Sequence, residues 1–171
     1  MGQVVFLSGR IITGRDAMHA RALSSNDVTD DLNGATLFHS GPIVAREDNG
    51  WKVIAAGPTT SSRMDHLMAE MIRRHGIRAV IGKGGMSEDV LEEMANTGCV
   101  YLAAVGGTAV SLAEGLKVIG VKWEDLGMAE AMWTLEAERL GPLTVAMDAK
   151  GNSIYKDVGS KVRGNIKGPQ S

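Results

Sequence analysis

Gly57-Pro58-Thr59-Thr60-Ser61-Ser62-Arg63-Met64-Asp65 is the stretch whose reading decides the fold. An apolar run, Trp51 to Ala56, enters it. A helical pattern, Leu67, Met68, Met71 and Ile72, leaves it, so a strand turns into a helix here. Pro58 has no N–H to donate and cannot continue a central strand. Thr59 to Ser62 supply hydroxyls suited to capping the free N–H groups of the next helix. Those N–H groups, with Arg63, make a favourable place for an anion. An ordinary capped helix start fits the same residues equally well.

Working downstream, the spacing predicts a helix from Ser61 to His75, stopped by Gly76. Ala79 to Ile81 reads as a buried strand and Gly82-Lys83-Gly84-Gly85 as a loop. Ser87 to Asn96 reads as a helix with Ser87 as N-cap. Val100 to Ala104, a turn at Gly106-Gly107, a short helix from Thr108 to Glu114 and a strand from Leu116 to Trp123 follow. Strand and helix alternating at this spacing imply parallel βαβ units. Trp133, Leu135 and Ala137 alternate with polar residues, which is strand periodicity, and Leu143 to Met147 is expected to pair back on them across Gly141-Pro142. Asp148 to Asn152 reads as a turn into Ser153–Tyr155.

Upstream, Val4 to Ile12 reads as a strand kinked at Gly9, and Asp16 to Leu23 favours helix. Asn26 to Asn33 is polar and loop-like. Ala35 to His39 is a short strand entering the Ser40-Gly41-Pro42 turn. Asn49-Gly50 is a hairpin signal before the Trp51–Ala56 strand. The fold class is therefore α/β: a mixed sheet with a parallel βαβ middle and flanking β strands.

The totals bound the function. With 171 residues and 44% hydrophobic content the chain suits one domain with a sizeable core. A formal charge of -2 argues against a dedicated nucleic-acid binder. Residues 158–171 lean basic among glycines and read as a flexible tail after a domain spanning 1–157. The single cysteine, Cys99, cannot form an internal disulfide or hold a zinc or iron–sulfur site alone. A reducing compartment and a cytoplasmic location are the expectation, with no apolar run long enough to span a membrane. The ten methionines read mostly as core filler.

Four basic residues stand beside glycines or at helix starts: Arg15, Arg63, Lys83 and, less clearly, Arg46. Ligands bind outside the carboxyl ends of strands in an open α/β sheet, where Arg63 and Lys83, and with them Arg15, are expected. Arginine grips a carboxylate with two parallel bonds and lysine acts as a point charge, so a small dianion suits the set. Each taken singly also fits a solvated surface charge. The Gly82 loop is neither a P-loop nor a GxGxxG turn. Gly106-Gly107 is a second candidate anion cradle or a packing turn. His19, four residues after Arg15, suits either a structural role or one as acid or base.

Seven motifs taken together, in this order, resemble the β-type part of class I fumarate hydratases and L-tartrate dehydratases. They are Thr13-Gly14-Arg15-Asp16-Ala17-Met18-His19, Ser40-Gly41-Pro42, the opening stretch, Gly82-Lys83-Gly84, Tyr101 to Gly107, Glu124 to Trp133, and Asp148 to Asn152. The resemblance covers residues 4 to 155. It implies a swivelling β/β/α domain and an α-type iron–sulfur subunit as partner. A [4Fe–4S] cluster would be bound by that partner and not by this chain. An assembly as homodimer or α2β2 is expected, with no nucleic acid or membrane involved. The implied reaction is reversible dehydration of (S)-malate to fumarate, the proton leaving C3 and hydroxide leaving C2 toward the open iron of the partner's cluster. By motif position, Arg15, Arg63 and Lys83 would hold the substrate carboxylates and Thr59 would transfer the proton, Lys83 and Arg63 lowering its pKa. L-tartrate is the alternative substrate, and a carboxylate-binding module without catalysis is the alternative of another class. The Gly82 loop lacks the asparagine–arginine continuation of fused fumarases.

Overall fold

The computed structural model describes residues 1–25, 29–48 and 50–166. In chain order the elements are β1 (Val4–Thr13), α1 (Asp16–Ser24), α2 (Thr29–Leu32), β2 (Thr36–Phe38), β3 (Ile43–Glu47), β4 (Gly50–Ala55), a 3-10 turn (Ser61–Met64) and α3 (Asp65–His75). Then come β5 (Ala79–Gly82), α4 (Glu88–Thr97), β6 (Val100–Ala103), α5 (Ala109–Ala113), β7 (Leu116–Lys122), a 3-10 turn (Glu124–Leu126), β8 (Met132–Met147) and α6 (Ile154–Ile166).

The architecture is mixed α/β on one eight-stranded sheet. Strands β1, β2, β5 and β6 run parallel side by side, as the βαβ spacing predicts. Strand β8 runs antiparallel to both β6 and β1, so these five strands close on one another. From β8 the sheet continues through β7 and β4 to β3, all antiparallel.

Period-two side-chain alternation divides the apolar residues into two cores. Ile12, Leu37, Val80 and Tyr101 are partners across the parallel strands and share one face. Met18 and Ala22 of α1, Met68, Met71 and Ile72 of α3, and Val90, Leu91 and Met94 of α4 cover that face. Ile11, Phe38, Ile81 and Leu102 point the other way, against Leu135, Leu140 and Leu143 of β8 and Leu112 of α5. Each large side chain so buried contributes about 1.5–3 kcal/mol. Seven methionines, Met132 among them, are buried, in line with the reading as filler, whereas Met128 is exposed.

Four expectations are corrected. First, residues 133–147 do not fold back across Gly141-Pro142. They form one strand, because β1 offers a ten-residue edge along its whole length. Two residues of β8 oppose Ser8 in a bulge between the Leu7–Leu140 and Gly9–Ala137 pairs. Arg139 there takes a left-handed φ of 56°, and its N–H donates to Ser8 Oγ at 3.0 Å. Second, Ser153–Tyr155 opens a helix. Ser153 Oγ accepts the Lys156 N–H at 3.4 Å, an N-cap bond. Third, that helix, α6, runs to Ile166, through the beginning of the stretch read as a tail, and Lys156 Nζ pairs with Glu88 Oε1 at 2.6 Å. Fourth, α2 falls within the stretch read as a loop. Residues 26–28 of that loop, Asn49 of the hairpin signal and residues 167–171 lie outside the described residues. Among the described residues no helix is long and apolar enough to cross a membrane.

Candidate functional site

The carboxyl ends of β1, β2 and β5 lie together, because Thr13, Phe38 and Ile81 are in register. The Gly14 N–H donates to Phe38 O at 3.0 Å, which draws the start of α1 over the end of β2. The opening stretch then runs between the segments that leave β2 and β5. Ser40 and Pro58 form an antiparallel bridge, and Thr60 and Lys83 a parallel one. The Thr59 N–H donates to His39 O at 2.7 Å, the Lys83 N–H to Thr59 O at 3.3 Å and the Ser61 N–H to Lys83 O at 3.0 Å.

This corrects the role given to the hydroxyls. The strand does turn into a helix, but through the Ser61–Met64 3-10 turn, and neither Thr60 nor Met64 makes a side-chain cap bond. Ser61 is wholly buried and turns inward, toward His39 Nδ1 and Tyr101 OH. Ser87, expected as a capping side chain, makes no such bond either. Its N–H donates to Asp65 Oδ1 at 3.2 Å.

Arg15 and Arg63 both meet carboxylates of this chain. Arg15 Nε lies 3.3 Å from Glu130 Oε1. Glu130 Oε2 also accepts the Ala17 N–H at 2.9 Å, which supplies the N-terminal cap that Arg15 does not give α1. Arg63 Nη2 lies 2.7 Å from Asp16 Oδ2, with the arginine side chain half exposed. Such a pair contributes about 0–1 kcal/mol, so a ligand carboxylate competes with it readily. Lys83 is exposed, makes no ion pair among the described residues, and sends its stem toward Gly106. Thr59 is half buried, and its hydroxyl has no hydrogen-bond partner among the described residues. Arg15 and Arg63 are thus linked through the Asp16 turn, and Thr59 and Lys83 through backbone bonds. Arg46 is elsewhere, stacked 4.8 Å from the Trp51 ring centroid on the β3–β4 hairpin.

Asp16 and Glu130, which meet the arginines, and His39 and Tyr101, which meet Ser61, were not named as site residues from sequence, and Ser61 was read only as a capping hydroxyl. Asp16 and Glu130 stand inside recognisable motifs, but nothing local says which cation each meets. Among the described residues no cluster of three or more His, Cys, Asp or Glu could hold a metal. Cys99 is buried, its thiol pushed up to about 12 by burial, so the chain's own residues do not fit an iron–sulfur cluster.

His19 is fully buried, and burial lowers its pKa from 6.5 to about 4. His39 is lowered too, by burial first and then by His19. The unfolded chain binds these protons near pH 6.5 and the native chain does not. Their contribution to stability is therefore complete above pH 6.5 and is lost as pH falls toward 4. For His19 the loss is about 3 kcal/mol. Urea midpoints should fall measurably between pH 6.5 and 5, before most carboxylates titrate, and a flat profile there would contradict the burial of neutral histidine.

The family described as Fumarase C-terminus matches residues 1–158. A protein of Methanocaldococcus jannaschii with the provisional name L(+)-tartrate dehydratase subunit beta is 42% identical over 168 residues, 95% of this chain and 86% of that one. The L(+)-tartrate dehydratase subunit beta of Escherichia coli K12 is 36% identical over 159 residues, 92% of this chain and 79% of its own length. A protein of Geobacillus stearothermophilus provisionally named fumarate hydratase class I is 42% identical over 160 residues, 92% of this chain but 31% of that protein.

Proposed function

The chain belongs to the Fumarase C-terminus family, and on that premise we propose that it is the β subunit of a hydro-lyase acting on a 2-hydroxy dicarboxylate. The observation that supports the reading is at the sheet's carboxyl end: backbone bonds tie Thr59 to Lys83, which makes no ion pair among the described residues, and Arg63 reaches the turn after Arg15 through a readily displaced pair with Asp16. Three cations suit a dianion whose charge grows at one carboxylate as a proton leaves the adjacent carbon. In (S)-malate the proton leaves C3 and hydroxide leaves C2, giving fumarate and water. Arg15, Arg63 and Lys83 hold the carboxylates. Thr59 moves the C3 proton, its hydroxyl without another partner among the described residues and its alkoxide favoured by the neighbouring cations. A [4Fe–4S] cluster, which supplies a Lewis acid to the leaving hydroxyl when bound, belongs to an α-type partner subunit. We read the fold as a swivelling β/β/α domain, and the assembly as cytoplasmic, a homodimer or α2β2.

L-tartrate is the second reading, favoured by the names of two of the relatives. Side-by-side rates decide between them. The complex with its α-type subunit, prepared anaerobically, should turn over malate faster than L-tartrate. The reverse order would make it a tartrate dehydratase, and inactivity on both would refute the hydro-lyase reading.

A further inference from the structure

A line of buried polar groups runs beneath the candidate site. Tyr101 OH lies 2.8 Å from Ser61 Oγ, and Ser61 Oγ lies 2.9 Å from His39 Nδ1. The His39 and His19 rings pack edge to face, centroids 5.2 Å apart at 64°. His19 Nδ1 lies 2.6 Å from Arg15 O. All four side chains are 0% exposed. Within the line two atoms lack partners: His39 Nε2 and His19 Nε2, one on each of two rings in contact.

Donors can be assigned from both ends. A carbonyl oxygen accepts only, so His19 carries its proton on Nδ1, and the neutral ring keeps a lone pair on Nε2. At the other end burial pushes the Tyr101 phenol up, so it keeps its proton, and one direction of the line has it donate to Ser61 Oγ. Ser61 then donates its own proton to His39 Nδ1, which leaves the His39 proton on Nε2. The two unpartnered atoms become one donor and one acceptor. The opposite direction would leave two buried lone pairs on the touching rings and a phenol proton without an acceptor.

We propose that Tyr101, Ser61 and His39 form one directional chain of neutral hydrogen bonds, and that the contact of the His39 ring with the His19 ring positions the Thr59 segment against the Arg15 turn. Beyond that contact His19 donates to the Arg15 carbonyl. The His39 carbonyl accepts the Thr59 N–H at 2.7 Å, and Ser61 lies two residues from Thr59. These are positioning residues. Their effect on turnover rests on the hydro-lyase reading, whereas the tautomers do not.

The test begins with long-range 1H–15N correlation spectra of the labelled full chain at pH 7. His19 should carry its proton on Nδ1 and His39 on Nε2. A His39 protonated on Nδ1, or either ring charged, would overturn the chain. Tyr101→Phe removes one hydroxyl and little volume. It should convert His39 to a mixture of tautomers and, in the assembled enzyme, lower kcat by about tenfold with KM within about twofold, as expected of a misplaced proton-transfer group. Ser61→Ala should do the same and serves if Tyr101→Phe does not fold. Unchanged kcat in the folded variants would overturn the positioning role. A wild-type complex inactive on both acids would refute the hydro-lyase reading, while the tautomers would still decide the chain.

Discussion

Lys83→Ala should lower kcat/KM of the assembled enzyme on its dicarboxylate by roughly 30- to 1,000-fold, a loss of about 2–4 kcal/mol in transition-state binding. Lys83 is the site cation with least to do inside its own chain. It is exposed and meets no carboxylate among the described residues, whereas Arg15 has Glu130 and Arg63 has Asp16. Its backbone is nevertheless fixed, by the Thr59 carbonyl on its N–H and the Ser61 N–H on its carbonyl. A charge held at a set place without a structural partner is available to a ligand. Those backbone bonds survive the substitution, so stability should stay within about 0.5 kcal/mol of wild type. Steady-state kinetics beside a urea titration separate the two effects. An unchanged kcat/KM would remove Lys83 from the site.

Gly82→Ala should act in the opposite way, on the fold first. A Cβ there would stand 2.0 Å from Ser61 Oγ, 2.9 Å from Tyr101 OH and 3.4 Å from His39 Nδ1. The backbone cannot yield, since Gly82 pairs with Ala103 in the sheet and its carbonyl accepts the Ala104 N–H at 2.8 Å. Ser61 must therefore be displaced. That overpacks the site at about 1–3 kcal/mol and leaves buried polar groups unpaired at about 1–3 kcal/mol each. A total of roughly 3–6 kcal/mol is a large part of a typical domain's stability. The urea midpoint reads it, with Gly106→Ala as control, since a Cβ there would meet nothing nearer than Lys83 Cδ at 4.0 Å. A loss below about 1 kcal/mol would mean that Ser61 moves aside without strain and that its contacts with His39 and Tyr101 do little for stability.

Gly82 also shows where sequence reading stops. As a letter in Gly82-Lys83-Gly84-Gly85 it suggests a loop or an anion cradle. Its need for an absent side chain comes from Ser61, Tyr101 and His39, which are distant in sequence. Local signals did better wherever the cause is local. The parallel middle was legible because apolar runs at Ala79–Ile81 and Val100–Ala103 alternate with helical patterns, and Gly76 closes α3 with a φ of 62°. The course of β8 was not legible, because the length of β1 keeps Gly141-Pro142 in an extended strand. The helix at Ser153 was legible in principle, from its hydroxyl three residues before Lys156 and from Ile154, Val158 and Val162 at four-residue spacing, but Gly159 and Gly164 among basic residues gave it the look of a tail. At the site, Arg15, Thr59, Arg63 and Lys83 stand in motifs visible in the sequence. Their counter-charges, Asp16 and Glu130, are identified by a 2.7 Å and a 3.3 Å contact that only the fold creates.

The central claim is that this chain supplies one half of a hydro-lyase site. The most direct measurement compares the α-type iron–sulfur subunit alone, this chain alone, and the two together, all anaerobically, for loss of water from malate and from L-tartrate. The account predicts no turnover from either chain alone and turnover of at least one acid from the pair. An α-type subunit equally active without this chain would contradict it.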